Sequence, residues 1–214
     1  MQAMLRSALL CSLFVVVGCK TGAGTVRPTP PPDEPAFEST VVPCDEAQKA
    51  ISQAADTRAS PYGIDAHVEK NFKDRKVSWL MPEGTYQKFV VQTGAKNFGR
   101  CNDSGCFLFA APSATIQDAV AKSMVDGKHD PAVIGQALGL PAKNFEGPLR
   151  MMTLDLAASK SCARLPVDED PGVWKCQTAE DTDCFKFGGY TSGGVPEIMV
   201  INAPVEQATV AEVP

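Results

Sequence analysis

The chain has 214 residues, of which 44% are hydrophobic and 21% charged, enough for one globular domain with its own core. Its formal net charge of -5 gives no overall field that would steer it to nucleic acid, which weakens a nuclease reading. No apolar run after residues 7–17 approaches the length of a membrane span.

Residues 1–18 read as an export signal. Arg6 supplies the single positive charge of a short n-region. Residues 7–17 form an apolar stretch of about eleven residues, too short to cross a hydrocarbon core of about 30 Å as a helix. It ends in Val16-Val17-Gly18-Cys19, which resembles the lipobox of bacterial lipoproteins. The resemblance implies cleavage before Cys19 and a diacylglycerol on its sulfur, so the membrane is contacted through a lipid anchor. Lys20 stands where an aspartate would signal inner-membrane retention, which favours the outer membrane. Residues 19–42 then form a lipidated tether. Its prolines, with the run Pro30-Pro31-Pro32 among them, keep it extended at about 3 Å per residue.

Of the eight cysteines, Cys11 falls in the signal and Cys19 takes the lipid. Cys44, Cys101, Cys106, Cys162, Cys176 and Cys184 remain, an even set that reads as a disulfide framework in an exported domain. Short loops favour Cys101 with Cys106 and Cys176 with Cys184, leaving Cys44 for Cys162, although six cysteines allow fifteen pairings. The spacings do not repeat a zinc knuckle and only two histidines exist, so no metal site and no cofactor are expected.

Residues 45–57 predict a helix with an acidic first turn and a stripe of Ala47, Ala50, Ile51 and Ala54. Residues 64–73 predict a second, carrying His67. Residues 77–81 and 86–91 are short apolar segments of either type, and 94–105 read as a loop. Cys106 to Phe109 reads as a buried strand. A helix over residues 113–125 is capped by Ser113 or Thr115. Asp130-Pro131 opens a short helix that stops at Leu138, with Gly139 as its C-terminal cap and Pro141 beyond. Residues 149–156, 184–187 and 198–201 predict strands, and 205–214 a frayed tail. The order of elements predicts an α+β fold, with a helical part over residues 43–106 and an α+β module over 107–204.

No nucleophile elbow, zinc-protease helix or phosphate loop is present. His129 beside Asp130 fits either a base oriented by a carboxylate or a surface turn, and His67 fits a helix face. Residues 188–197, Gly-Gly-Tyr-Thr-Ser-Gly-Gly-Val-Pro-Glu, are the most unusual stretch. Four glycines beside Glu197 suit either a loop that brings backbone to a ligand or a wide hairpin turn with positive φ.

This stretch, with Leu138-Gly139-Leu140-Pro141, Leu149-Arg150, Arg164-Leu165-Pro166 and Trp174, resembles C-terminal modules of bacterial polymorphic toxins. With the lipobox, stalk and cysteines, the whole resembles the swarm-inhibition lipoprotein toxins of the SitA type. That resemblance implies transfer between cells by outer-membrane exchange machinery, for kin discrimination, and a cognate immunity protein. Nuclease action or ADP-ribosyl transfer on a nucleic-acid or protein target would follow. Arg150, Thr191, Ser192 and Glu197 are the candidate catalytic set: a cation, a hydroxyl pair and a carboxylate suited to holding a dinucleotide. Two additional cysteines near residues 162–184 depart from those toxins and imply an extracytoplasmic folded state. The other reading is a non-catalytic, cysteine-rich outer-membrane lipoprotein in envelope structure, adhesion or motility.

Overall fold

A computed structural model describes residues 44–59, 62–167, 170, 189–191 and 193–214. The expected signal, the tether, Cys19, Trp174, Cys176, Cys184, Ser192 and the strand expected at 184–187 lie outside these residues.

The fold is α+β. Its elements are α1 (Glu46–Ala59), α2 (Ile64–Asn71), β1 (Lys76–Pro82), α3 (Glu83–Tyr86, running into a π-helical turn Gln87–Val91), β2 (Arg100–Asn102) and β3 (Gly105–Pro112). Then follow α4 (Ser113–Ser123), a two-residue hairpin β4 (Met124–Val125) and β5 (Lys128–His129), α5 (Pro131–Leu138), a 3-10 turn Ala142–Phe145, β6 (Leu149–Asp155) and α6 (Leu156–Ser159). The last elements are β7 (Cys162–Arg164), β8 (Ile198–Ile201), a 3-10 turn Val205–Gln207 and β9 (Thr209–Val213).

Local chemistry explains several boundaries. The Asp45 carboxylate accepts from Gln48 N at 3.1 Å and caps α1. Asp130 caps α5 by accepting from Ala132 N at 2.8 Å, Pro131 follows it, and Gly139 closes the helix in the left-handed conformation at φ 65°. The cap of α4 differs from expectation. Pro112 occupies the N-cap position and neither Ser113 nor Thr115 caps the helix. Ser113 Oγ instead accepts from Ser78 Oγ at 2.9 Å and from Gln117 Nε2 at 3.1 Å, so a buried strand hydroxyl has claimed it. The helix also stops at Ser123, because Asp126-Gly127, both at positive φ, turns the chain into the hairpin β4–β5.

One antiparallel sheet runs β7-β8-β3-β1-β6-β9, with β2 paired to β3. Side chains alternate along each strand, and both faces are covered. On one face Val77, Trp79, Leu108, Met152, Ile198 and Val200 pack with Ala55, Val68 and Phe72 of the α1–α2 region. On the other, Ala111 and Leu149 pack with Ile116 and Ala119 of α4, and with Ile134 and Leu138 of α5. The sheet corrects two boundaries. β1 lies between β3 and β6, so the described residues of 43–106 and 107–204 are not separate parts but share one sheet. Residues 205–214 are not a frayed tail, because β9 pairs with β6 over five residues. Two of the expected bridges are present, Cys44–Cys162 across 118 residues and Cys101–Cys106 across 5.

Candidate functional site

The glycine loop folds back on itself and docks against the end of α5. Thr191 N donates to Val195 O at 2.9 Å, Gly194 N to Thr191 O at 2.9 Å and Glu197 N to Gly189 O at 2.8 Å. The Thr191 hydroxyl donates to Leu138 O at 2.9 Å and accepts from Val195 N at 3.2 Å. It therefore satisfies an orphan carbonyl at a helix C-terminus. Gly193 sits so close to Gly139 that a Cβ on Gly193 would lie 2.7 Å from Gly139 Cα. The loop is thus the wide hairpin of the two sequence-based readings, and its glycines permit backbone to meet backbone.

Its first residues cover a buried polar group. Gly189 has φ 79°, and a Cβ there would lie 3.0 Å from His67 Nε2 and 2.8 Å from Leu165 Cδ2. His67 on α2 is only 3% exposed. Its Nδ1 meets Asn71 Nδ2 at 3.2 Å, and the same amide donates to the Tyr190 hydroxyl at 3.2 Å. The Tyr190 ring stands edge-on to the imidazole at 4.9 Å between centroids. His67 Nε2 has no hydrogen-bond partner among the described residues. Burial pushes His67 down to about 4, opposed by the nearby Glu197 carbonyl. Asn71 is not among the residues the sequence singles out, and Tyr190 enters only within the 188–197 stretch; Asn71 lies four residues after His67 and so shares its helix face.

Glu197 is half-buried at the mouth of β8, and burial alone pushes its carboxyl up to about 7. The two groups act oppositely on stability. Between its ordinary value of 4.5 and about 7, Glu197 holds more protons when folded, so stability falls as pH rises through that window. Between about 4 and the ordinary 6.5, His67 holds fewer protons when folded, so stability rises with pH. Glu197→Gln should therefore be more stable than the parent at pH 8, and should lose stability more steeply between pH 6.5 and 4.5. Urea unfolding across pH checks this; a Gln variant weaker than the parent at pH 8 would show that the carboxylate is paired and useful.

Among the described members of the expected catalytic set, Arg150 and Glu197 are not brought together, which corrects that part of the sequence-based grouping. Arg150 alternates with Met152 and Leu154 on β6 and so lies on their face of the sheet. Ile198 shares that face, so Glu197, one residue earlier, projects to the opposite one. Three strand spacings, β8 to β3 to β1 to β6, lie between their strands, about 14 Å across the sheet alone. Arg150 is also occupied. It pairs with Glu83 through Nε and Nη2 and with Glu212 at 2.9 Å, and the Tyr86 ring lies 5.7 Å away. The Glu83 hydrogen bond holds the guanidinium above its ordinary range, and the same contact holds Glu83 below the usual carboxylate range.

His129 is not a base oriented by Asp130, whose carboxylate is spent on capping. Its ring nitrogens instead meet Pro214 O and Phe145 O, each at 2.7 Å. Among the described residues no group of three or more His, Cys, Asp or Glu is placed to hold a metal ion. A cleft of about 210 Å³ lies between Asp45, Lys160, Cys162 and Asn202. That is smaller than the roughly 300–1,000 Å³ of typical small-molecule sites.

No family model, curated protein or solved structure matches this chain. Function therefore rests on the geometry and on the sequence alone.

Proposed function

We propose that this protein is a lipid-anchored lipoprotein of the outer membrane. Its disulfide-stapled domain acts without catalysis, in envelope structure, adhesion or motility. The observation that carries the reading is the separation of Arg150 and Glu197 onto opposite sheet faces, with Arg150 already held by two carboxylates. The Thr191 hydroxyl is likewise committed to a helix end. The anchor rests on Val16-Val17-Gly18-Cys19, and among the described residues no helix is long and apolar enough to cross a membrane.

One observation favours the second reading, a toxin of the swarm-inhibition type with an immunity partner. A half-buried carboxylate raised to about 7 beside a glycine loop is a feature that functional sites share.

A pair of strains tests the proposal. The chain from residue 20 onward, made in a bacterial cytosol that permits disulfides and lacks any immunity partner, should leave growth unchanged. Growth arrest that Glu197→Gln relieves would overturn the non-catalytic reading. The segment must include β1, since residues 107–214 alone would leave β3 and β6 without the strand between them. The full chain should fractionate with membranes and take up a metabolic lipid label, and Cys19→Ala should do neither. A labelled, membrane-bound Cys19→Ala protein would remove the anchor from the proposal.

A further inference from the structure

The two described disulfides differ in setting. Cys44 and Cys162 are half-buried and pack against Phe107, Met199 and Ile201. Cys101 and Cys106 face each other across the hairpin β2–β3, with Cys101 exposed at the surface and Cys106 half-buried. This hairpin does not need its bridge to keep its shape. Cys106 is held to the chain after β8 on both sides: its N–H donates to Asn202 Oδ1 at 2.9 Å, and its carbonyl accepts from Asn202 N at 2.8 Å. Gly99, at φ 109°, lies against the Phe107 backbone so closely that any Cβ would overlap the Phe107 carbonyl. Arg100 pairs with Phe107 and Asn102 with Gly105, on either side of the cysteines.

From this we infer that Cys101–Cys106 is a thiol–disulfide exchange site whose co-reactant is a small thiol. The incoming thiolate attacks the Sγ of the exposed Cys101, and the Cys101–Cys106 bond breaks as the new sulfur–sulfur bond forms. The electron pair leaves on Cys106 Sγ, which takes a proton from water. A second thiolate then attacks the outer sulfur of the mixed disulfide and releases Cys101 as the thiolate, which is protonated in turn. The balance is one protein disulfide and two thiols giving one protein dithiol and one small disulfide. Two electrons pass to the protein. Access decides which bridge opens first, because exchange needs the nucleophile to reach the sulfur along the bond axis. The anchored backbone keeps both thiols opposite one another, so the step reverses without unfolding.

The full chain, purified oxidised, is treated with glutathione and quenched with an alkylating reagent over time, and peptide masses report each cysteine. Cys101 and Cys106 should become alkylated at least about tenfold faster than Cys44 and Cys162, with circular dichroism unchanged. Equal or slower opening of Cys101–Cys106, or loss of dichroism as it opens, would overturn the inference. Two single variants assign the attacked sulfur. With oxidised glutathione, Cys106→Ser should acquire a glutathionyl group at Cys101 faster than Cys101→Ser acquires one at Cys106; the reverse order would refute Cys101 as the point of attack.

Discussion

Asp170→Ala should lower the stability of this domain by about 3–5 kcal/mol, because it strands a buried guanidinium without its counter-charge. Arg164 is 0% exposed. Its Nε donates to Gln48 Oε1 at 3.0 Å, and Nη1 donates to Leu165 O at 3.0 Å and to Asp170 Oδ2 at 2.8 Å. Nη2 donates to Asp170 Oδ1, and Asp170 Oδ2 also accepts from Val167 N at 2.7 Å. The Gln48, Leu165 and Asp170 oxygens together take charge-assisted bonds from Nε, Nη1 and Nη2. Removing the carboxylate leaves the guanidinium buried without its partner, so the desolvation cost is no longer offset. Arg164→Met with Asp170→Ala removes both charges, and should cost less than the two single changes added together. Urea unfolding of the four proteins closes the cycle. An Asp170→Ala variant within about 0.5 kcal/mol of the parent would mean that the pair is solvated and optional.

That network also marks where sequence reading stops. The α5 boundaries were legible because their chemistry is local: Asp130, Pro131 and Gly139 each act within one turn of the helix they bound. Strand β8 was legible because Ile-Met-Val-Ile has no polar break. Arg164 in Cys-Ala-Arg-Leu carries no sign that Gln48, 116 residues earlier, will receive it. The glycine loop suited two readings for the same reason. What decides it is the Leu138 carbonyl, 53 residues away in sequence, which takes the Thr191 hydroxyl. Arg150 and Glu197 looked like a site because charge and order in the chain carry no information about which sheet face a residue takes. Register sets that face, and register is settled by the packing of whole strands.

The bridge Cys44–Cys162 belongs to the same long-range level. It closes a loop of 118 residues and holds the entry to α1 against β7, next to the Gln48–Arg164 contact. In the chain-entropy account a loop of that size is worth about 5 kcal/mol, against about 2 kcal/mol for the short Cys101–Cys106 loop. The two bridges are therefore unequal in stability, as they are in exposure. The long one and the buried ion pair fix the same corner of the sheet.

Ending the chain after Ala208 should destabilise the domain by at least about 4 kcal/mol and make it prone to aggregate. β9 gives β6 a partner over five residues, with Leu149 opposite Val213 and Thr153 opposite Thr209. Each lost backbone hydrogen bond is worth about 0.5–1.5 kcal/mol net, and losing a buried valine costs about 1.5–3 kcal/mol. Val213 is 3% exposed in the core formed with α4 and α5. The same cut removes Glu212 from Arg150, and removes the Pro214 carbonyl that accepts from the His129 N–H at 2.9 Å. It also turns β6 into an edge strand, whose Leu-Arg-Met-Met-Thr-Leu-Asp sequence has only one positive and one negative charge to discourage pairing with another chain. Val213→Ala alone should cost about 1–3 kcal/mol and leave the sedimentation of the parent unchanged, because the ladder survives. Thr209→Ala, on an exposed position, should stay within about 0.5 kcal/mol of the parent. Urea unfolding and sedimentation of the three variants separate loss of packing from loss of the edge. A shortened chain that unfolds at the parent's urea midpoint would return these residues to the status of a tail.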